Sequence, residues 1–229
     1  MKKGNPRIER IDQSLVEKII NTSNLTGEIS ESDQAEMAIP SYLNKNPLIR
    51  EIFWRRYDGV FQLFALKPEM VVCEFGCGFG AFLPTLVEHT AKVYAVDLFP
   101  QYAQAVAEEL NLPVEFSTSL DSVPDGSLDV LYAVEVLEHL DDLPAGIQLI
   151  ARKLKPGGRL IMSGPTESTL YKIGRFMVGY NKYHEYHRNN VYLLKQGILD
   201  NGFRLERTAF FPNRLVLLNL IGQFQVKAK

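Results

Sequence analysis

Cysteine is scarce in this chain: only Cys73 and Cys77 occur, four positions apart around a predicted strand end. Side chains there diverge rather than meet, so a disulfide framework is excluded, and reduced thiols fit a cytoplasmic protein. Long apolar runs are also missing. No stretch approaches the roughly 20 residues a spanning helix needs, and the opening MKKGNPRIERIDQS lacks the apolar centre of a secretory signal. Neither sign of charge dominates. With 25 basic and 27 acidic residues the formal net charge is -2, so no general pull toward nucleic acid or an anionic membrane is expected. Nucleic-acid modification is further disfavoured because there is no Asn/Asp-Pro-Pro-Tyr motif and no long basic stripe. Internal repeats and low-complexity tracts are lacking as well.

What is present is 46% apolar content in 229 residues, enough to bury one substantial core but cramped for two full domains. Residues 1–33 are polar and weakly periodic, and are expected to form a flexible arm with at most one helix around IDQSLVEKII. Residues 34–229 form the expected domain. It opens with a helical preface at 34–67, where Ile49, Ile52, Phe53, Val60, Leu63 and Phe64 recur at helical steps and Pro47 suits a first turn.

After Pro68, short apolar runs alternate with amphipathic segments: MVVCEF, GAFLPTLVEH, KVYAVDL, QYAQAVAEEL, VEFST, LDVLYAV, DLPAGIQLIARKLK and RLIMSG. That alternation implies a doubly wound α/β fold, a parallel sheet covered by helices on both faces. Residues 165–190, rich in Tyr, Gly, Lys, Arg and His, interrupt it as an acceptor-side insertion or lid. The finish reads as two antiparallel strands, FRLERTAFF and QFQVKAK, separated by the apolar RLVLLNLIG. The sum is a Rossmann-like, seven-stranded mixed sheet with a C-terminal antiparallel strand.

Glu74-Phe75-Gly76-Cys77-Gly78-Phe79-Gly80 follows a strand and opens a helix, where such a sheet holds nucleotide-like ligands. Gly76-x-Gly78-x-x-Ala81, with Asp97 21 positions after Gly76, also fits a dinucleotide fingerprint, and either ligand would offer ribose hydroxyls to Asp97. Glu74 separates the two readings. A carboxylate beside the loop accepts from a cationic amino group but repels a pyrophosphate.

These motifs resemble class I S-adenosylmethionine-dependent methyltransferases, of the methyltransferase type 11 and quinone-biosynthesis kind. EFGCGFG is similar to their first motif, AVDLFP to their second-strand acid, and SLDVLYAVEVLEHL with LKPGGRLIMSG to their fourth and fifth strands. The resemblance implies that Glu74, Gly76, Gly78 and Gly80 flank the cofactor's methionine part and that Asp97 binds the ribose. It also implies that Leu98 packs on the adenine and that Ser119 and the Leu120 amide reach its amino group. Ser119 stands where the family has an acid, and Asp121 is the substitute if the loop shifts by two.

On the acceptor side, Glu135, Glu138 and His139 repeat an E-x-x-E-H spacing found in quinone-biosynthesis O-methyltransferases, where it accompanies a divalent ion beside a catechol-like acceptor. Their other reading is structural, bracing the turn after the fourth strand, and on that reading no metal is expected. His139, His184 and His187 are the candidate general bases, because an imidazole titrates near neutrality. Methyl transfer is a direct displacement that needs mainly alignment, so these motifs name the donor and leave the acceptor as a small, partly hydrophobic molecule. The rival functions are a nicotinamide-dependent oxidoreductase and a non-catalytic adenosylmethionine-binding module.

Overall fold

The computed structural model describes residues 6–22, 29, 39–166, 191–212 and 217–227. Seven strands form one sheet in the order β3-β2-β1-β4-β5-β7-β6. They are β1 (Val71–Phe75), β2 (Lys92–Val96), β3 (Val114–Ser117), β4 (Leu128–Val134), β5 (Leu154–Pro165), β6 (Phe203–Pro212) and β7 (Leu217–Val226). Strands β1 to β5 pair in parallel, whereas β7 runs antiparallel to both β5 and β6. The mixed sheet with one reversed C-terminal strand is therefore as the sequence implies. The helices are α1 (Gln13–Thr22), the short turn α2 (Ile39–Tyr42), α3 (Pro47–Leu63), α4 (Leu83–His89), α5 (Gln101–Leu110), α6 (Leu143–Lys153) and α7 (Val191–Asp200).

Alternation along the central strands sends side chains into two cores. Val72, Val93, Val130 and Tyr132 pack with the α3 residues Trp54, Tyr57, Val60 and Phe61 on one face. Cys73, Leu131, Ala133 and Leu160 pack with Ile147 and Ile150 of α6 and Leu194 and Ile198 of α7 on the other. Each such apolar side chain removed from water contributes about 1.5–3 kcal/mol before entropy is subtracted. Helix α3 starts where Asn46 caps it, its side chain accepting from the Leu48 amide at 3.0 Å, with Pro47 in the first turn. Across the helix–sheet seam Tyr57 meets Phe82 at 5.5 Å between ring centroids, and Phe82 meets Tyr132 edge-on at 5.1 Å.

Two expectations are corrected. Residues 6–22 are docked rather than loose: Ile8 donates its amide to Asp58 Oδ1 at 2.9 Å and Glu9 to Thr85 Oγ1 at 2.8 Å, while Ile11, Val16, Ile19 and Ile20 are buried. The stripe Val16-Ile19-Ile20 has helical spacing, and the surface it needs is its own domain. The apolar LLNLIG, read as a spacer, is the first half of β7. Its alternate residues serve both faces, Leu220 toward α7 and Ile221 toward α3, which explains its apolar character. Most of the 165–190 insertion, with His184 and His187, lies outside the described residues.

Candidate active site

The glycine loop leaves the carboxyl end of β1 in left-handed backbone, with φ of +76° at Gly76, +49° at Gly78 and +82° at Gly80. Gly76 has no room for a side chain: a Cβ there would stand 2.1 Å from Val136 Cγ2, so the turn after β4 rests directly on the loop. The loop amides are turned inward. Gly76 and Cys77 donate to the Val96 carbonyl at 2.7 and 3.3 Å, Gly78 to Asp97 Oδ2 at 2.7 Å, and Gly80 to the Cys77 carbonyl at 2.7 Å. A pyrophosphate cradle needs such amides aimed at the ligand. These four are already bonded within the protein, which argues against the dinucleotide reading.

Glu74 is fully buried, and neither of its carboxylate oxygens has a hydrogen-bond partner. Burial, reinforced by the Asp97 charge, pushes its carboxyl well above the usual range. A buried acid without a partner costs several kcal/mol if ionised, a cost that a neighbouring cation offsets, so the position suits the ammonium of an amino-acid ligand. Asp97 anchors both sides of its own turn. Besides Gly78, it accepts from the Phe99 amide at 2.9 Å through Oδ1, and each oxygen keeps a lone pair for a ribose hydroxyl. Leu98 beside it is 76% exposed, an apolar side chain standing free as an adenine platform would. These residues fit the cofactor implied by the resemblance.

In the loop after β3, Ser119 caps a helical turn, its Oγ accepting from the Asp121 amide at 3.2 Å. Leu120 buries its side chain in the core, leaving its backbone as the part that could meet a ligand. Asp121, the alternative acid of that loop, has an exposed carboxylate. That carboxylate stands 3.7 Å from Arg152 of α6.

Glu135, the first residue after β4, is held at φ +58°. Its amide donates to the Ser163 carbonyl at 3.2 Å; Ser163 Oγ donates to Oε1 at 2.5 Å and Asn219 Nδ2 to Oε2 at 2.7 Å. Glu138 is buried in the next turn and His139 is half-buried at its end. Glu135 and His139 thus stand in successive turns after β4, and among the described residues no three His, Cys, Asp or Glu side chains are grouped to hold a metal ion.

Arg56 of α3 was not legible as a site residue. Its guanidinium carbon lies 5.3 Å from the ring centroids of both Phe53 and Tyr57, and its buried Nε has no partner. Although burial opposes its charge, its surroundings, Tyr57 and Glu135 among them, hold its proton more tightly than usual. One signal was available. Phe53, Arg56, Tyr57 and Val60 share a helical face, so an arginine interrupts an otherwise apolar stripe.

Comparison with known proteins agrees with this geometry. A family model described as a methyltransferase domain matches residues 49–208. A ubiquinone biosynthesis O-methyltransferase of Xanthomonas oryzae pv. oryzae (strain PXO99A) is 36% identical over 99 residues, covering 40% of this chain and 41% of that protein. The namesake protein of Xanthomonas campestris pv. campestris (strain B100) is 36% identical over 115 residues, covering 47% and 48%. The chain thus spans less than half the length of these curated relatives. Among solved structures, the N-methyltransferase NodS of Bradyrhizobium japonicum WM9, in complex with S-adenosyl-L-homocysteine, superposes with a TM-score of 0.63 at 18% identity, over 86% of this chain and 98% of that one. A cyclase, SpnF, superposes with a TM-score of 0.60 at 18% identity, over 76% and 81%. At such identities the likeness is one of fold.

Proposed function

The chain belongs to the methyltransferase domain family, and from that footing we propose that it transfers a methyl group from S-adenosylmethionine to an oxygen of a small acceptor. The observation that carries the reading is Glu74: a buried carboxylate without a partner, next to a loop in which the Gly76, Cys77, Gly78 and Gly80 amides are already bonded. That combination favours a ligand with a cation and no phosphate at this end. Glu74 and the Gly76 to Gly80 loop would hold the methionine part, Asp97 the ribose hydroxyls, and Leu98, Ser119 and the Leu120 amide the adenine. When bound, the cofactor supplies an activated methyl on a sulfonium, which needs in-line alignment with a nucleophile.

Oxygen as the acceptor atom is supported by the curated relatives, which are named O-methyltransferases, and by the carboxylate of Glu135 beside the loop, suited to a hydroxyl donor. His139, together with His184 and His187, supplies the candidate bases. No helix among the described residues is long and apolar enough to cross a membrane. Cys73 and Cys77 are buried free thiols, which suits a cytoplasmic setting.

Calorimetry tests the donor side. Saturable binding of S-adenosylmethionine and S-adenosylhomocysteine with none of NADH is expected; binding of NADH alone would overturn the reading. Release of S-adenosylhomocysteine in the presence of hydroxylated acceptors then separates an enzyme from a non-catalytic binding module.

A further inference from the structure

A cavity of about 740 Å³ lies between the N-terminal segment, α3, β6 and β7. Neither Glu74, the glycine loop, Asp97 nor Glu135 lines it, so it is separate from the site described above. Its volume falls within the roughly 300–1,000 Å³ of small-molecule sites. Its two sides differ in chemistry. Ala209, Phe211 and Ile221, which share the sheet face packed by α3, form an apolar wall, while Arg7, Arg55 and Asp58 bring charge.

The acid of this lining is already occupied. Asp58 is buried; its Oδ1 accepts from the Ile8 amide at 2.9 Å, and its Oδ2 lies 3.5 Å from Arg10. Arg10 also engages both oxygens of Glu51, so Glu51 is paired before Arg55 reaches it at 3.9 Å. Among the described residues the Arg7 guanidinium has no hydrogen bond or ion pair. Two guanidiniums and one carboxylate leave a single positive charge on the lining.

We propose that this cavity is a second small-molecule site, and that it takes a monocarboxylate on a flat aromatic body, the anion facing Arg7 and Arg55 and the ring lying on the apolar wall. Charge selects the ligand. One negative charge matches the lining, whereas a phosphate dianion exceeds it and meets Asp58, and an ammonium is repelled. Guanidiniums pair with carboxylates and stack on aromatic faces, and Phe211 adds a ring to the wall, so an aromatic acid uses both sides. Occupancy also has a structural consequence. Arg7 belongs to the docked N-terminal segment, and Ile8 beside it hangs on Asp58, so the ligand bridges that segment to β6 and opposes its undocking. The proposal is independent of the methyl-transfer reading.

The test uses the full chain and three probes that share a ring system and differ in charge: 2-naphthoate, 2-naphthamide and 2-naphthylmethylammonium. Calorimetry at low salt is expected to show saturable 2-naphthoate binding, with the amide about ten-fold weaker and the ammonium not bound. Arg7 and Arg55 are both exposed, so Arg7→Gln and Arg55→Gln leave the fold intact. Each should weaken 2-naphthoate about three-fold and leave the amide unchanged. Ala209→Met, which adds a side chain to the apolar wall, should weaken both. Saturating S-adenosylhomocysteine should leave 2-naphthoate affinity as it was, and hydrogen exchange of the Ile8 amide should slow when the probe binds. The proposal is overturned if 2-naphthoate does not bind, if the amide binds as tightly, or if neither arginine variant changes the affinity. It is equally overturned if S-adenosylhomocysteine displaces the probe, which would assign it to the cofactor cleft, or if Ile8 exchange is unaltered by bound probe.

Discussion

Gly78 and Asp97 are joined by a 2.7 Å hydrogen bond from the glycine amide to the aspartate carboxylate, so the residue that would grip the ribose also pins the loop. Asp97→Ala therefore removes two things at once. Affinity for S-adenosylmethionine is expected to fall by about 1.5–3 kcal/mol per lost charge-assisted bond, roughly 10- to 150-fold. The ligand-free protein should also melt at a lower temperature. Calorimetry and a melting curve on one sample read both effects, and unchanged affinity would place the ribose elsewhere.

Gly76 and Gly126 both have positive φ, +76° and +63°, but different surroundings. Alanine at Gly76 must displace Val136, whereas alanine at Gly126 meets nothing within 4 Å. Gly126→Ala is expected to cost about 1 kcal/mol of backbone strain, and Gly76→Ala that amount plus about 1–3 kcal/mol of overpacking. Urea denaturation of the two variants in parallel checks the difference; equal midpoints would contradict the contact.

The sign of the Glu74 effect on stability follows from its raised carboxyl pKa. Its folded form binds the proton more tightly than its unfolded form, so its contribution is complete below the ordinary carboxylate range and is lost as pH rises toward the folded value. Glu74→Gln removes that loss. Without ligand, variant and parent should have similar stability in acid, with the variant the more stable at higher pH, while the variant binds S-adenosylmethionine less tightly. A melting series across pH, without ligand, decides it.

The docked N-terminal segment is tested by Ile20→Ala. Ile20 is 4% exposed, and truncating a buried isoleucine costs about 2–5 kcal/mol. The urea midpoint should fall accordingly; a change near zero is what a loose arm would give.

The sheet was readable because β1 to β5 are short apolar runs separated by amphipathic helical segments, and because Glu74, the glycines and Asp97 lie within one β-loop-α-β unit. Local spacing carries that much. The acceptor side was less readable because its contacts are remote in sequence: Asn219 reaches Glu135 across 84 positions and Ser163 across 28. No periodicity encodes such a pairing. The docking of Ile8 to Asp58, 50 positions apart, escaped for the same reason. LLNLIG was misread because a strand packed on both faces is uniformly apolar, which resembles a buried linker until its partners are known.

Strand β7 follows β6 in sequence, yet it sits between β5 and β6. Strand β6 therefore has no strand beside it until β7 arrives, and β5 is an open edge until then. The hydrogen bonds made by the Gly76, Cys77, Gly78 and Gly80 amides all lie within residues 71–99, whereas Glu135 gains its Asn219 anchor only after β7 has been inserted. The glycine loop can thus be pinned before the turn that carries Glu135 gains its last anchor.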